Sequence, residues 1–131
     1  MFRRALKTII LCWGFMIVPA MAQTISTQII VDQFGYRPSA RKVVVFANPR
    51  YGPNAYRYGY TPGSYFTVRR VSDNVRVFSN VTRPWNAGAL HADSGDYAWW
   101  GDFTTLSTTG DYYVQDASGR RSFPFRIATD V

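Results

Sequence analysis

Two pairs of carboxylates, one histidine and a set of aromatic side chains are the residues in this 131-residue sequence whose types could do chemistry. Asp93 and Asp96 are separated by Ser94-Gly95, and Asp111 and Asp116 flank a short run of extended type. Neighbouring carboxylates can share acid–base work, but Asp beside Ser and Gly in a turn ordinarily accepts bonds from local backbone N–H groups. Asp93, Ser94 and Asp96 also offer the oxygen ligands that calcium takes, yet that ion needs about six or more and only a few are in view. His91 is the lone histidine and has no Ser or Cys arranged with it, so neither a triad nor a zinc site is supported. Glutamate is absent. The expectation is no catalytic residue, no metal site and no cofactor.

The aromatics offer recognition instead. Sugar rings stack on exposed Trp and Tyr faces, which makes Trp85, Trp99, Trp100 and the loop tyrosines Tyr56 and Tyr58 candidates for a glycan or docking surface. Adjacent residues on a strand face opposite ways, so only one of Trp99 and Trp100 can point inward. The other either packs under the Trp85 loop or forms part of a contact surface, since exposed apolar patches mark interfaces. Asn48 to Ser64 is a long connection rich in Gly, Pro and Tyr. A loop of that length is functional or packed as an interface, or its tyrosines fold back over the domain.

These residues hang on a β framework. In Asp102 to Ile127, Gly110 closes a polar Ser/Thr turn. Tyr112 and Val114 then share one face of a strand, with Asp111, Tyr113 and Gln115 on the other. Asp116-Ala-Ser-Gly119 is turn chemistry, and Phe123, Phe125 and Ile127 alternate with Ser122, Pro124 and Arg126. Gly110-x-Tyr112 resembles the tyrosine corner of immunoglobulin-like sandwiches, in which a buried Tyr hydrogen-bonds backbone just upstream. Where antibody domains carry a Cys two residues later, this chain has Val114.

Upstream, Thr24 to Val31 and Lys42 to Ala47 read as strands. Tyr65 to Val71 directs Phe66 and Val68 inward, and Val75, Val77 and Ser79 line its hairpin partner. Trp85 to Asp96 reads as a loop and Tyr97 to Phe103 as a further strand. The sum is an all-β sandwich of about seven short antiparallel strands.

Residues 1–22 have the pattern of a cleaved signal peptide. Arg3, Arg4 and Lys7 precede the apolar Ile9 to Val18, and Ala20-Met21-Ala22 supplies a small-x-small cleavage site. Cleavage leaves 109 residues without cysteine, bound for a secreted or periplasmic location with no membrane segment, so stability must come from the core. Three of the fifteen Lys and Arg lie in the leader. Residues 23–131 therefore carry twelve cations against eight Asp, a net +4. The cations are scattered arginines without a block or stripe, which gives no support to nucleic-acid binding.

Several stretches together resemble one family. They are Val31-Asp-Gln33-Phe-Gly35-Tyr36-Arg-Pro38 followed by Lys42, Ser94-Gly-Asp96, Trp100-Gly-Asp102-Phe103, Gly110-Asp-Tyr112-Tyr113-Val114 and Arg121-Ser122-Phe-Pro-Phe125-Arg-Ile127. The family is the N-terminal immunoglobulin-like domain of family-9 glycoside hydrolases, the cellulase and endoglucanase group. The resemblance implies residues 23–127 as that domain and 128–131 as the start of a linker. It implies as partner an adjacent (α/α)-barrel that hydrolyses β-1,4-glucan with inversion, an activity needing two carboxyls about 6.5–9.5 Å apart. Those catalytic residues have no positions in this chain. The module is expected to be non-catalytic and to dock on the barrel through Gln33, Tyr36 and the outward Trp, with Tyr112 and Val114 structural. A stand-alone module binding β-glucan or another protein is the alternative.

Overall fold

The apolar run after Lys42 is extended because β-branched and aromatic side chains fit a pleated, half-buried surface. The computed structural model describes residues 23–53, 55 and 59–131; the leader, Tyr56 and Tyr58 lie outside the described residues. Eight strands follow in chain order: β1 (Ile29–Ile30), β2 (Val43–Pro49), β3 (Tyr65–Arg70), β4 (Arg76–Val81), β5 (Arg83–Pro84), β6 (Asp96–Asp102), β7 (Gly110–Asp116) and β8 (Phe125–Ile127). One sheet has the order β1-β2-β6-β5 and the other β4-β3-β7-β8, and every pair within them is antiparallel. Two such sheets, face to face, make an immunoglobulin-like sandwich.

The core lies between the sheets. Val44 and Phe46 on β2 face Phe66 and Val68 on β3 and Val114 on β7, all without solvent exposure. At one end Tyr36, Phe103 and Phe125 meet edge-on or tilted, with ring centroids 5.3–5.5 Å apart. Phe66 needs room from the opposite sheet. Gly101 gives it, because a Cβ there would stand 2.2 Å from the Phe66 ring.

Tyr112 does what its position after Gly110 predicts. Its hydroxyl donates to the Thr108 carbonyl at 3.0 Å, locking the turn that leads from β6 into β7. Val114 fills the slot of the absent cysteine and is fully buried. The opposite face of β7 is covered as well: Arg121 lies 5.1 Å above the Tyr113 ring, whose hydroxyl donates to Asn74 Oδ1.

Three expectations need correction. Thr24 to Val31 is not one strand, because residues 24–26 bond to Arg121 beside one sheet before Ile29 and Ile30 join β2 in the other. On β4, a register shift between Val68 and Arg69 breaks the simple alternation. Phe78 then stands opposite Val68 and packs on the core, while Ser79 pairs with Thr67 on the outer side. Phe123 is exposed rather than inward. Ser122 bonds Val114 through both its N–H and Oγ, whereas Phe125 pairs with Tyr112. One extra residue therefore falls between those contacts and turns Phe123 out.

Finally, Trp85 opens a short 3-10 turn, Trp85–Gly88, with Asn86 and Ala87 in the left-handed region, so the loop after β5 is partly ordered.

Candidate functional site

The loop from Asp32 to Pro38 is short, polar and fixed at many points. Asp32 Oδ1 accepts from the Phe34 N–H at 2.9 Å, and the Asp32 carbonyl accepts from the Gly35 N–H at 3.3 Å, closing a tight turn. Gly35 has φ of +100°, and a Cβ would lie 2.6 Å from the Arg126 carbonyl, so only glycine fits. The Tyr36 N–H donates to that same carbonyl at 2.8 Å. Arg37 Nε donates to the Val131 carbonyl at 3.1 Å.

Tyr36 is the pillar of this loop. Its ring is only 9% exposed and its hydroxyl is used twice: it accepts from the Asp32 N–H at 2.9 Å and donates to the Val43 carbonyl at 3.0 Å. Burial is the main reason its phenol holds its proton above the usual range. Tyr36 therefore holds the surface up from below and presents little area of its own. Gln33 is exposed and its Nε2 reaches the Val31 carbonyl at 3.4 Å. Between them stands Phe34, 91% exposed, which the sequence reading passed over. Its signal was available: in Asp32-x-x-Gly35 the third residue sits at the tip of the turn.

Behind the loop, Lys42 is fully buried. Its ammonium donates to the carbonyls of Pro38, Ala40 and Thr104 at 2.8, 2.8 and 3.2 Å, and so ties the loop to the segment after β6. Desolvation lowers its pKa.

The pairing of β2 with β6 sets Phe46 opposite Trp99 and Val45 opposite Trp100. Phe46 is core, so Trp99 packs inward and Trp100 faces out. Ile30, Val45, Trp100 and Arg83 then form one row across the outer face of all four strands. Ile30 and Val45 are 48% and 38% exposed. With Val43, they and Trp100 line an open depression of about 640 Å³ that ends at Asp32 and Arg41. Trp85 lies elsewhere, its ring 5.0 Å from His91. The structure thus brings Trp100 and Tyr36 to one depression, which Gln33, Trp99 and Trp85 do not line.

The carboxylates of Asp111 and Asp116 are occupied structurally. Asp111 is ion-paired with Arg126 at 2.8 Å, and that guanidinium holds its carboxyl below the usual range. Asp116 Oδ1 accepts from the Ser118 N–H, the Ser118 hydroxyl and the Arg120 N–H, while Oδ2 accepts from the buried Tyr60 hydroxyl at 3.1 Å. Near Asp93 and Asp96, the turn is held by backbone: the His91 N–H donates to the Asp96 carbonyl and the Gly95 N–H to the His91 carbonyl. Among the described residues, no three His, Cys, Asp or Glu side chains converge as metal ligands.

Sheet order and the Tyr112 corner define an immunoglobulin-like β-sandwich module. A model of the family described as the cellulase N-terminal Ig-like domain matches residues 24–121, and the chain belongs to that family. Among solved structures, it is similar to a metagenome-derived glycoside hydrolase family 9 endoglucanase, with a TM-score of 0.57 and 31% identity over 77% of this chain and 18% of that one. The family 9 endoglucanase J30 aligns with a TM-score of 0.52 and 25% identity over 70% of this chain and 14% of its own. A Bacteroides ovatus GH9 protein shares the fold, with a TM-score of 0.55 and 21% identity over 76% of this chain and 15% of its own. This chain spans less than one-fifth of the length of each. No curated protein matches it. Among the described residues, no helix is long and apolar enough to cross a membrane.

Proposed function

We propose that residues 23–127 act as a non-catalytic supporting module for a family-9 cellulase-type catalytic barrel, reaching a secreted or periplasmic location through a leader cleaved after Ala22. The observation that carries this reading is the family match over residues 24–121, set against solved endoglucanases of which this fold is at most 18%. The arrangement of the carboxylates supports it: Asp111 and Asp116 are spent on an ion pair and a turn. The purified chain, incubated with soluble β-1,4-glucan, should release no reducing ends above buffer. Turnover that survives repurification would end the non-catalytic reading. N-terminal sequencing of exported protein should begin at Gln23; a start at Met1 would remove the leader from the account.

A second reading rests on one observation, the outward indole of Trp100 beside the polar side chains of Asp32 and Arg41. It is a sugar platform. Retention of the chain on cellulose, lost in Trp100→Ala but kept in Trp85→Ala, would favour it over support of a barrel.

A further inference from the structure

Phe34 is nearly as exposed as a side chain can be, yet its backbone is among the most constrained in the chain. The Asp32 turn, the Gly35 contact with Arg126, the doubly bonded Tyr36 hydroxyl and the Arg37–Val131 bond all fix it. Exposed aromatics usually sit on yielding loops. Holding one rigidly in water is unfavourable in isolation, but it lowers the ordering cost of binding and is the pattern of an interface anchor. The same loop reaches, through Asp32, the shallow apolar depression floored by the Ile30–Val45–Trp100 row, with Arg41 and Arg83 at its margins.

We infer that Phe34 inserts into an apolar pocket of a family-9 catalytic domain while Ile30, Val45 and Trp100 pack against that domain's surface. This rests on the supporting role proposed above. The occupant follows from where the chain runs. Val131 lies against Gly35 and Arg37, so at this end of the domain the polypeptide passes directly beside Phe34. The family is described as an N-terminal domain of cellulases, which implies that the catalytic chain follows it. A domain that follows Val131 therefore starts beside the Asp32–Pro38 loop that carries Phe34. The arginines at the margin, and the net +4 of residues 23–131, suit a partner whose pocket is rimmed by carboxylates.

The test exchanges the immunoglobulin-like domain of the metagenome-derived endoglucanase for residues 23–131 and follows loss of activity on soluble β-1,4-glucan at elevated temperature. The exchanged enzyme should outlast one carrying an unrelated β-sandwich. Phe34→Ala and Trp100→Ala should each speed inactivation by at least about fivefold, the scale of an interface anchor. Tyr51→Ala, at an exposed aromatic that packs by Gly95 beyond the end of β2 and does not line this depression, should leave the rate unchanged. Melting of the three variant modules alone should match wild type, which separates lost docking from lost folding. If the exchanged enzyme keeps its lifetime while Phe34→Ala and Trp100→Ala change nothing, the surface assignment is wrong and the supporting role stands. If the exchanged enzyme does no better than the unrelated sandwich, the supporting role itself falls. Loss of cellulose retention in Trp100→Ala with an unaltered lifetime would assign the face to glycan instead and overturn the inference.

Discussion

The hydroxyl of Tyr112 donates to the carbonyl of Thr108 at 3.0 Å, and the ring lies against Gly110, whose missing Cβ would sit 3.1 Å from that hydroxyl. This contact fixes the crossing from one sheet to the other without a disulfide. Tyr112→Phe keeps the ring and removes only the donor, leaving a carbonyl unpaired. It should lower stability by about 1–1.5 kcal/mol in urea unfolding, with no change in the slope. An unchanged midpoint would show that water replaces the bond at no cost.

Gly101 supplies space rather than a turn. Its backbone is ordinary, so Gly101→Ala acts through the 2.2 Å clash with the Phe66 ring alone. A loss of about 1–3 kcal/mol is expected from overpacking. Phe66→Leu should cost stability by itself but recover part of that loss when combined with Gly101→Ala. Strictly additive losses would contradict the contact.

Lys42 spends its buried ammonium on three carbonyls. Lys42→Met keeps the length of the side chain and strands Pro38, Ala40 and Thr104 without their donor. A loss of about 2–4 kcal/mol follows from unmade buried bonds. The damage should reach the neighbouring loop, so faster amide exchange at Gly35 and Tyr36 is the specific readout. A variant as stable as wild type would mean that these carbonyls are served by water.

Alkaline pH should loosen the fold before it breaks the chain. Burial raises the phenol pKa of Tyr36, Tyr60 and Tyr112, and at Tyr60 the Asp116 carboxylate adds to it. The unfolded chain releases these protons near pH 10 while the folded chain holds them. Their stabilising effect is thus complete below about pH 10 and is lost as pH rises through the folded values, at up to about 1.4 kcal/mol per unit for each group. Lys42, shifted down from 10.5, acts in the opposite sense only below its unfolded value. Above about 10.5 the tyrosines act alone. Unfolding midpoints should therefore fall steeply past that point, and less steeply in Tyr60→Phe; equal slopes would count against the buried phenol.

Much of this was legible in the sequence, for a physical reason. Two-residue alternation around Phe66, Val68, Tyr112 and Val114 reports which face is wet, and Gly110-x-Tyr112 reports a local bond. Both are short-range facts. What alternation cannot report is where it slips. The shift beside Val68 that brings Phe78 inward, and the extra residue that expels Phe123, are settled by partners far along the chain. The surface was read with the same bias. The family resemblance implies docking through Gln33 and Tyr36, but Tyr36 is spent on the core. Phe34 lies in the same turn, and Gly35, pressed against Arg126, turns it outward.

The most direct measurement is amide hydrogen exchange on residues 23–131, alone and within the exchanged endoglucanase. Residues 30–36 and 98–101 should exchange more slowly in the enzyme than in the free module, while the Asn74 turn at the opposite sheet should not change. Equal exchange at residues 30–36 and 98–101 in both settings would contradict a module whose work is to hold a catalytic domain against that face.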